Sequence, residues 1–225
     1  MKNVTLLFIL TGIFCFNLSN AQSILVLAKC GFAYASGSLD SEIGAMATIS
    51  VENKFNKYFS LGINGKFGGV DYKEDRTFWE NNIPIEENNL EISNTAYSVN
   101  GFSKFSFVTT DDIILSLVPE IGFYWMESDP TIYFIDKQTI DVTHKNYDSK
   151  LVKEISYGLH LEGQYFLTGK LNILASIGGN NYDIGTSLNK VDLEGDWSSS
   201  LNEKSFFLYF EVGIVYNLFG KNYME

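Results

Sequence analysis

The stretch SFFLYFEVGIVYNLFG, residues 205–220, decides the fold. Its even positions from 206 to 218 are all apolar or aromatic: Phe206, Leu208, Phe210, Val212, Ile214, Tyr216 and Leu218. Its odd positions include Ser205, Glu211, Gly213 and Asn217. A period of two sends successive side chains to opposite faces of a β-strand. One face of this strand is therefore wholly apolar, and the other holds a carboxylate, an amide and a glycine.

The same alternation recurs along the chain, and helical spacing does not compete with it. It predicts eight strands, over 23–36, 41–52, 58–72, 93–108, 113–127, 151–166, 170–183 and 203–219. In 59–67, Phe59, Leu61, Ile63 and Phe67 oppose Ser60, Gly62, Asn64 and Lys66. In 113–125, Ile113, Leu115, Leu117, Ile121, Phe123 and Trp125 oppose Ser116, Glu120 and Gly122. Tight-turn sequences join segments two to three, four to five and six to seven, around 53–57, 109–112 and 167–170. Apart from a short first link at 37–40, the other connections are longer and polar, over 73–92, 128–150 and 184–202. Short turns at one end and long loops at the other predict an all-β fold: a single eight-stranded antiparallel up-and-down transmembrane barrel, turns periplasmic and loops extracellular.

Composition of the second face separates a membrane barrel from a soluble one. A water-facing surface would be rich in Lys, Glu and Arg. Here it is mostly small: Gly31, Ala33, Gly44, Ser60, Gly62, Asn64, Gly68, Ser98, Asn100, Ser106, Asn172, Ser176 and Gly178. Small residues suit the crowded interior of an eight-stranded barrel, so the apolar face points to lipid. Each segment exceeds the roughly 9–11 residues that a tilted transmembrane strand needs. Aromatics fall into two bands, the expected interfacial girdles. Phe55, Tyr58, Phe59, Phe105, Phe107, Tyr165, Tyr216 and Phe219 lie toward the short turns. Tyr34, Tyr72, Trp125, Tyr157 and Tyr182 lie toward the long loops.

The N-terminus adds an address. Lys2, an apolar run over 4–18 and the small residues Ser19 and Ala21 read as a secretory signal peptide, residues 1–21, with the barrel as 22–225. Cys15 leaves with that segment and Cys30 then stands alone, so no internal disulfide is expected. Phe14 and Lys29 precede the two cysteines, which excludes a lipoprotein reading. The formal net charge is −11. An acidic chain is poorly suited to nucleic acid, whose phosphates demand Lys and Arg. No cofactor motif is present, and none is expected.

The last strand also resembles the C-terminal insertion signal of outer-membrane barrels, with Glu211, Gly213, Tyr216 and Leu218 at its positions. The signal peptide ending NAQS and the whole layout resemble small outer-membrane β-barrels of the OmpX and OmpA-transmembrane type, particularly the outer membrane β-barrel/porin family of Bacteroidetes-like bacteria. The resemblance implies an outer-membrane location. It also implies contact with membrane lipid and lipopolysaccharide, insertion by the barrel-assembly machinery and, in some relatives, a protein partner in a larger outer-membrane complex.

Seven charges fall on the expected lumen face: Lys29, Lys66, Lys104, Glu120, Glu154, Glu162 and Glu211. Buried charges must be paired, so they are read as an ion-pair network filling the lumen, with Lys29 and Glu211 meeting where the first and last strands close the barrel. An ion or proton path is the alternative. A lipid-modifying enzyme would need a histidine beside a nucleophile. His144 lies in a loop near Asp141, Asp148 and Ser149, His160 faces inward beside Glu162, and neither sits in a His-x-Ser arrangement. Asp192, Glu194 and Asp196 alternate as cation ligands would, without the remaining ligands of a calcium loop. Two loops carry apolar residues, Phe78, Trp79, Ile83 and Ile85, then Ile132, Tyr133, Phe134 and Ile135. These either form a contact surface or pack on each other as a cap, and 131–142 is expected to rise as a hairpin. The expected role is non-enzymatic: structural, adhesive or accessory action through the loops. An accessory subunit of a transport or secretion complex, a small-solute pore and a lipid-modifying enzyme follow in that order.

Overall fold

The alternation read in the sequence becomes nine strands among the described residues, which are 23–36, 43–80, 83–188, 191, 193 and 205–220 of a computed structural model. They are β1 (Ser23–Ser36), β2 (Gly44–Lys54), β3 (Phe59–Glu80), β4 (Ile83–Thr109), β5 (Ile113–Asp136), β6 (Val142–Asn146), β7 (Val152–Phe166), β8 (Leu171–Asn180) and β9 (Phe206–Gly220). One short helix, α1 (Ile184–Leu188), lies between β8 and β9. The expected signal peptide, the first link at 37–40 and the acidic triplet Asp192, Glu194 and Asp196 lie outside the described residues.

Eight strands close a ring. β1 pairs with β2 and with β9, β4 pairs with β5, and β7 takes the other edge of β5, all antiparallel. Closure satisfies the backbone groups that an open sheet edge would leave bare in lipid. Along β5 the ladder to β4 skips Val118 and Pro119, where proline has no N–H to donate. The ninth strand, β6, adds to the far part of β5 and stands outside the ring.

Two sequence expectations are corrected. β3, β4 and β5 run well beyond 72, 93 and 127, so 73–92 is largely a paired hairpin rather than a loop. Outside the membrane the outer face of the sheet tolerates charge. The period-two hydrophobic signal therefore fades at Asp71–Arg76 while backbone pairing continues. The hairpin expected over 131–142 is present as β5 and β6, with Phe134 opposite Thr143. Second, Tyr72 and Tyr182 are buried inside, not in the outer girdle. The row that marks the outer border is instead Phe67, Tyr97 and Trp125, adjacent in register across β3, β4 and β5.

Faces follow parity. Exposed Phe32, Ile49, Phe67, Val99, Ile121, Leu159, Ile177 and Phe210 cover the outside, and Cys30 is exposed among them. The interior has two halves of different chemistry. Toward the turns it is mostly polar and charged, with a small apolar cluster of Leu25, Leu27, Leu174 and Val215. Toward the loops it is an apolar core of Met46, Tyr72, Ile92, Tyr124, Met126 and Phe207 with their neighbours. An exterior this apolar around a polar interior inverts the arrangement of a water-soluble barrel, and it suits a transmembrane one.

Candidate functional site

The site is built in three tiers along the barrel axis: a charged belt, a plug and a projecting sheet.

All eight ring strands contribute to the belt. Lys104 of β4 bridges Glu52 Oε2 of β2 and Glu162 Oε1 of β7, both at 2.6 Å. Lys29 of β1 sits between Glu162 at 3.7 Å and Glu211 of β9 at 3.5 Å, and it donates to Ser176 Oγ of β8 at 3.4 Å. Glu211 is fully buried and accepts from Thr48 Oγ1 at 2.5 Å. Lys66 of β3 pairs with Glu120 of β5 and donates to Tyr209 Oη at 2.8 Å. His160 Nδ1 lies 3.2 Å from that same hydroxyl. Asn64 donates to Glu120 at 2.8 Å, Asn100 donates to Asn64 at 3.0 Å and to Ser98 Oγ at 2.9 Å. Isolated charges here would carry a desolvation cost of several kcal/mol each, and mutual pairing offsets it. Small residues make room for the belt. At Gly158 an added Cβ would stand 2.7 Å from Asn180 Oδ1 and 2.8 Å from Glu120 Oε1. The cavity that remains between Lys29, Glu52, Lys104 and Glu162 is about 10 Å³, room for about one water molecule.

Six of the seven lumen charges read from the sequence thus come together. Glu154 does not: it is exposed beyond the belt, opposite Tyr124 in register. Glu52 takes part in its place. Sequence reading missed it because it sits where the alternation of β2 runs into a turn.

The plug comes from the β8–β9 connection. Tyr182, 1% exposed, packs against Tyr124 in a tilted arrangement at 5.0 Å and meets Phe207 edge-on at 5.4 Å. Its hydroxyl lies 2.5 Å from Ser98 Oγ, so one hydrogen-bonded path runs from the belt into the plug. Ile184 and Ser187 are buried behind it, and Ser128 donates to Ser187 Oγ at 2.8 Å. Asp183 accepts from the amides of Gly185 and Ser205 and from Thr186 Oγ1. These bonds hold both ends of the segment at the mouth.

The projecting sheet is formed by the far parts of β3, β4 and β5 with β6. Past Trp125, β5 continues for about ten residues, roughly 30 Å of extended chain. The residues expected as a loop contact surface divide here. Ile132 is buried in the core cluster and Phe134 packs against it, because their even parity turns them inward. Tyr133 faces the other way and its ring centre lies 6.1 Å from that of His144. Phe78 and Trp79 are exposed at the tip, Trp79 at 63%. Ile140 is exposed in the adjoining turn with φ 62°, a left-handed conformation that β-branched residues rarely adopt. Among the described residues, neither His144 nor His160 is hydrogen-bonded to a serine, threonine or cysteine. In the last strand Glu211 is inside, while Tyr216 and Leu218 are exposed on the outer face.

No protein-family model and no curated protein matches the chain. Solved structures do. Neisserial surface protein A aligns with a TM-score of 0.49 and 15% identity over 87% of this chain and 97% of its own. A major outer membrane protein from Thermus thermophilus aligns with a TM-score of 0.47 and 11% identity over 87% and 100%. Ail, the attachment invasion locus protein of Yersinia pestis, was solved with the heparin analogue sucrose octasulfate; it aligns with a TM-score of 0.40 and 15% identity over 87% and 97%. The strand register, ring closure and inverted faces of this chain carry the assignment by themselves: it is a small, closed, eight-stranded β-barrel of the outer-membrane kind.

Proposed function

We propose that this chain is an integral outer-membrane protein whose sealed barrel anchors the β3–β6 sheet outside the cell. There the sheet serves as a non-enzymatic contact surface, structural or adhesive. The observation that carries this reading is the continuation of β3, β4 and β5 beyond the Phe67–Tyr97–Trp125 row as one paired sheet, above an interior filled by charged and aromatic side chains. A pore would need the opposite arrangement. The terminal strand, with Glu211 and Gly213 inward and Tyr216 and Leu218 outward, supports insertion by the barrel-assembly machinery.

A second reading, an accessory subunit of a larger outer-membrane complex, is favoured by exposed Phe78, Trp79 and Ile83 at the sheet tip. Exposed apolar clusters mark contact surfaces. The test is purification of the tagged full chain from native membranes in mild detergent, beside a variant with 74–91 replaced by a short turn. A stoichiometric partner lost in the variant supports the subunit reading. Recovery alone, with attachment to surfaces that depends on 74–91, supports the adhesive reading. Discrete conductance steps in a planar bilayer would overturn both.

A further inference from the structure

The lipid-facing exterior holds no charge among the described residues until the outer border, and the first it meets there is Lys153. Along β7 the outward positions read Lys153, Ile155, Tyr157, Leu159, Leu161, Gly163 and Tyr165. Register places Lys153 beside Trp125, so the border row continues as Phe67, Tyr97, Trp125, Lys153 over four adjacent strands. The ammonium lies 5.2 Å from the Trp125 ring centre and 5.5 Å from that of Phe123. Lys153 makes no ion pair with a described residue. Glu127, one step further out on β5, instead accepts from Ser149 Oγ at 2.7 Å.

From this geometry we infer that Lys153, held against Trp125 and Phe123, binds the phosphate of an outer-leaflet lipid headgroup. An ammonium at the edge of the hydrocarbon layer extends toward the headgroups, where anionic phosphate is its partner. The two rings fix the stem at that depth and leave the ammonium open outward. Aromatic girdles sit at headgroup level, so the row that locates the border also locates the phosphate. The inference rests on the outer-membrane reading.

The test is native mass spectrometry of the full chain in detergent with lipid A as the probe. Wild type, Lys153→Gln, Lys153→Arg and Lys73→Gln are compared, each first shown to be folded by its unboiled gel shift. Lys153→Gln should retain about fivefold less lipid A, on the order of the contribution of one interfacial lysine. Lys153→Arg and Lys73→Gln should match wild type. Equal retention by Lys153→Gln overturns the site. Equal displacement by excess inorganic phosphate overturns the lipid as its ligand, since a free anion would then suffice. Failure of the wild type to fractionate with outer membranes would instead overturn the location, whatever the lipid retention.

Discussion

Lys29 and Glu211 meet at 3.5 Å across the seam where β1 and β9 close the barrel. The first and last strands of the ring are thus joined by charge as well as by backbone. Removing one partner leaves the other under-paired: Glu211→Leu leaves Lys29 only the longer contact to Glu162 at 3.7 Å and leaves Thr48 without its acceptor. The expected loss is about 3 kcal/mol. The double variant Lys29→Met/Glu211→Leu should lose less than Glu211→Leu alone, because no unpaired charge remains at the seam. Urea unfolding followed by the gel shift measures both, and a double variant as unstable as the sum of the singles would contradict the pairing.

The plug and the belt fill successive levels of the lumen, and on the proposed reading each blocks it by itself. Tyr182→Ala empties a site packed by Tyr124 and Phe207, at an expected cost of about 3–5 kcal/mol. It should still pass no current, since the belt lies beneath it. Tyr182→Phe keeps the ring and removes the hydroxyl with its Ser98 contact, worth about 1 kcal/mol. Planar-bilayer recording of Tyr182→Ala decides the order: conductance steps would show that the plug alone closes the lumen.

Two glycines of β7 should respond in opposite ways. Gly158→Val drives carbon into Asn180 and Glu120 and should destabilise the barrel by roughly 1–3 kcal/mol. Gly163 faces outward, and its nearest Cβ neighbour would be Leu115 at 3.4 Å. Gly163→Ala should be neutral or slightly stabilising, since glycine is a weak strand former. Detergent melting temperatures of the two variants check the contrast.

The tip of the projecting sheet should loosen in acid. A hydrogen bond from Lys137 holds the Glu87 carboxyl below its ordinary pKa. The backbone amides of Gln138 and Thr139 do the same for Asp136, at 2.7 and 3.1 Å. A carboxylate depressed in the fold adds stability that is complete above its unfolded pKa and disappears as pH falls through the folded value. Amide protection over 134–142 should therefore be steady from about pH 8 to 5 and decline below about pH 4. Lys137→Met should remove the Glu87 part and leave the Asp136 part. Protection unchanged down to about pH 3 would contradict the assignment.

Much of the barrel was legible because lipid imposes a strict rule on one face. Leu159, Leu161 and Ile177 could only be outward-facing, and Glu120, Glu162 and Glu211 only inward. Where the rule lapses, reading failed. Beyond Tyr72 the outer face of the sheet meets water instead of lipid and carries Lys73 and Asp75, so the continuation of β3 looked like a loop. Tyr182 carried the signature of a girdle residue, and nothing local marks it as folding back into the mouth.

The sequence by itself determined the eight strands of the ring, their closure and the sign of each face, because these follow from a period of two repeated eight times. Which lysine meets which carboxylate was decided only by the tertiary structure. Pairing across the lumen depends on the relative stagger of strands far apart in the chain. That stagger brings Glu52 into the belt, leaves Glu154 outside it and sets Lys153 level with Trp125.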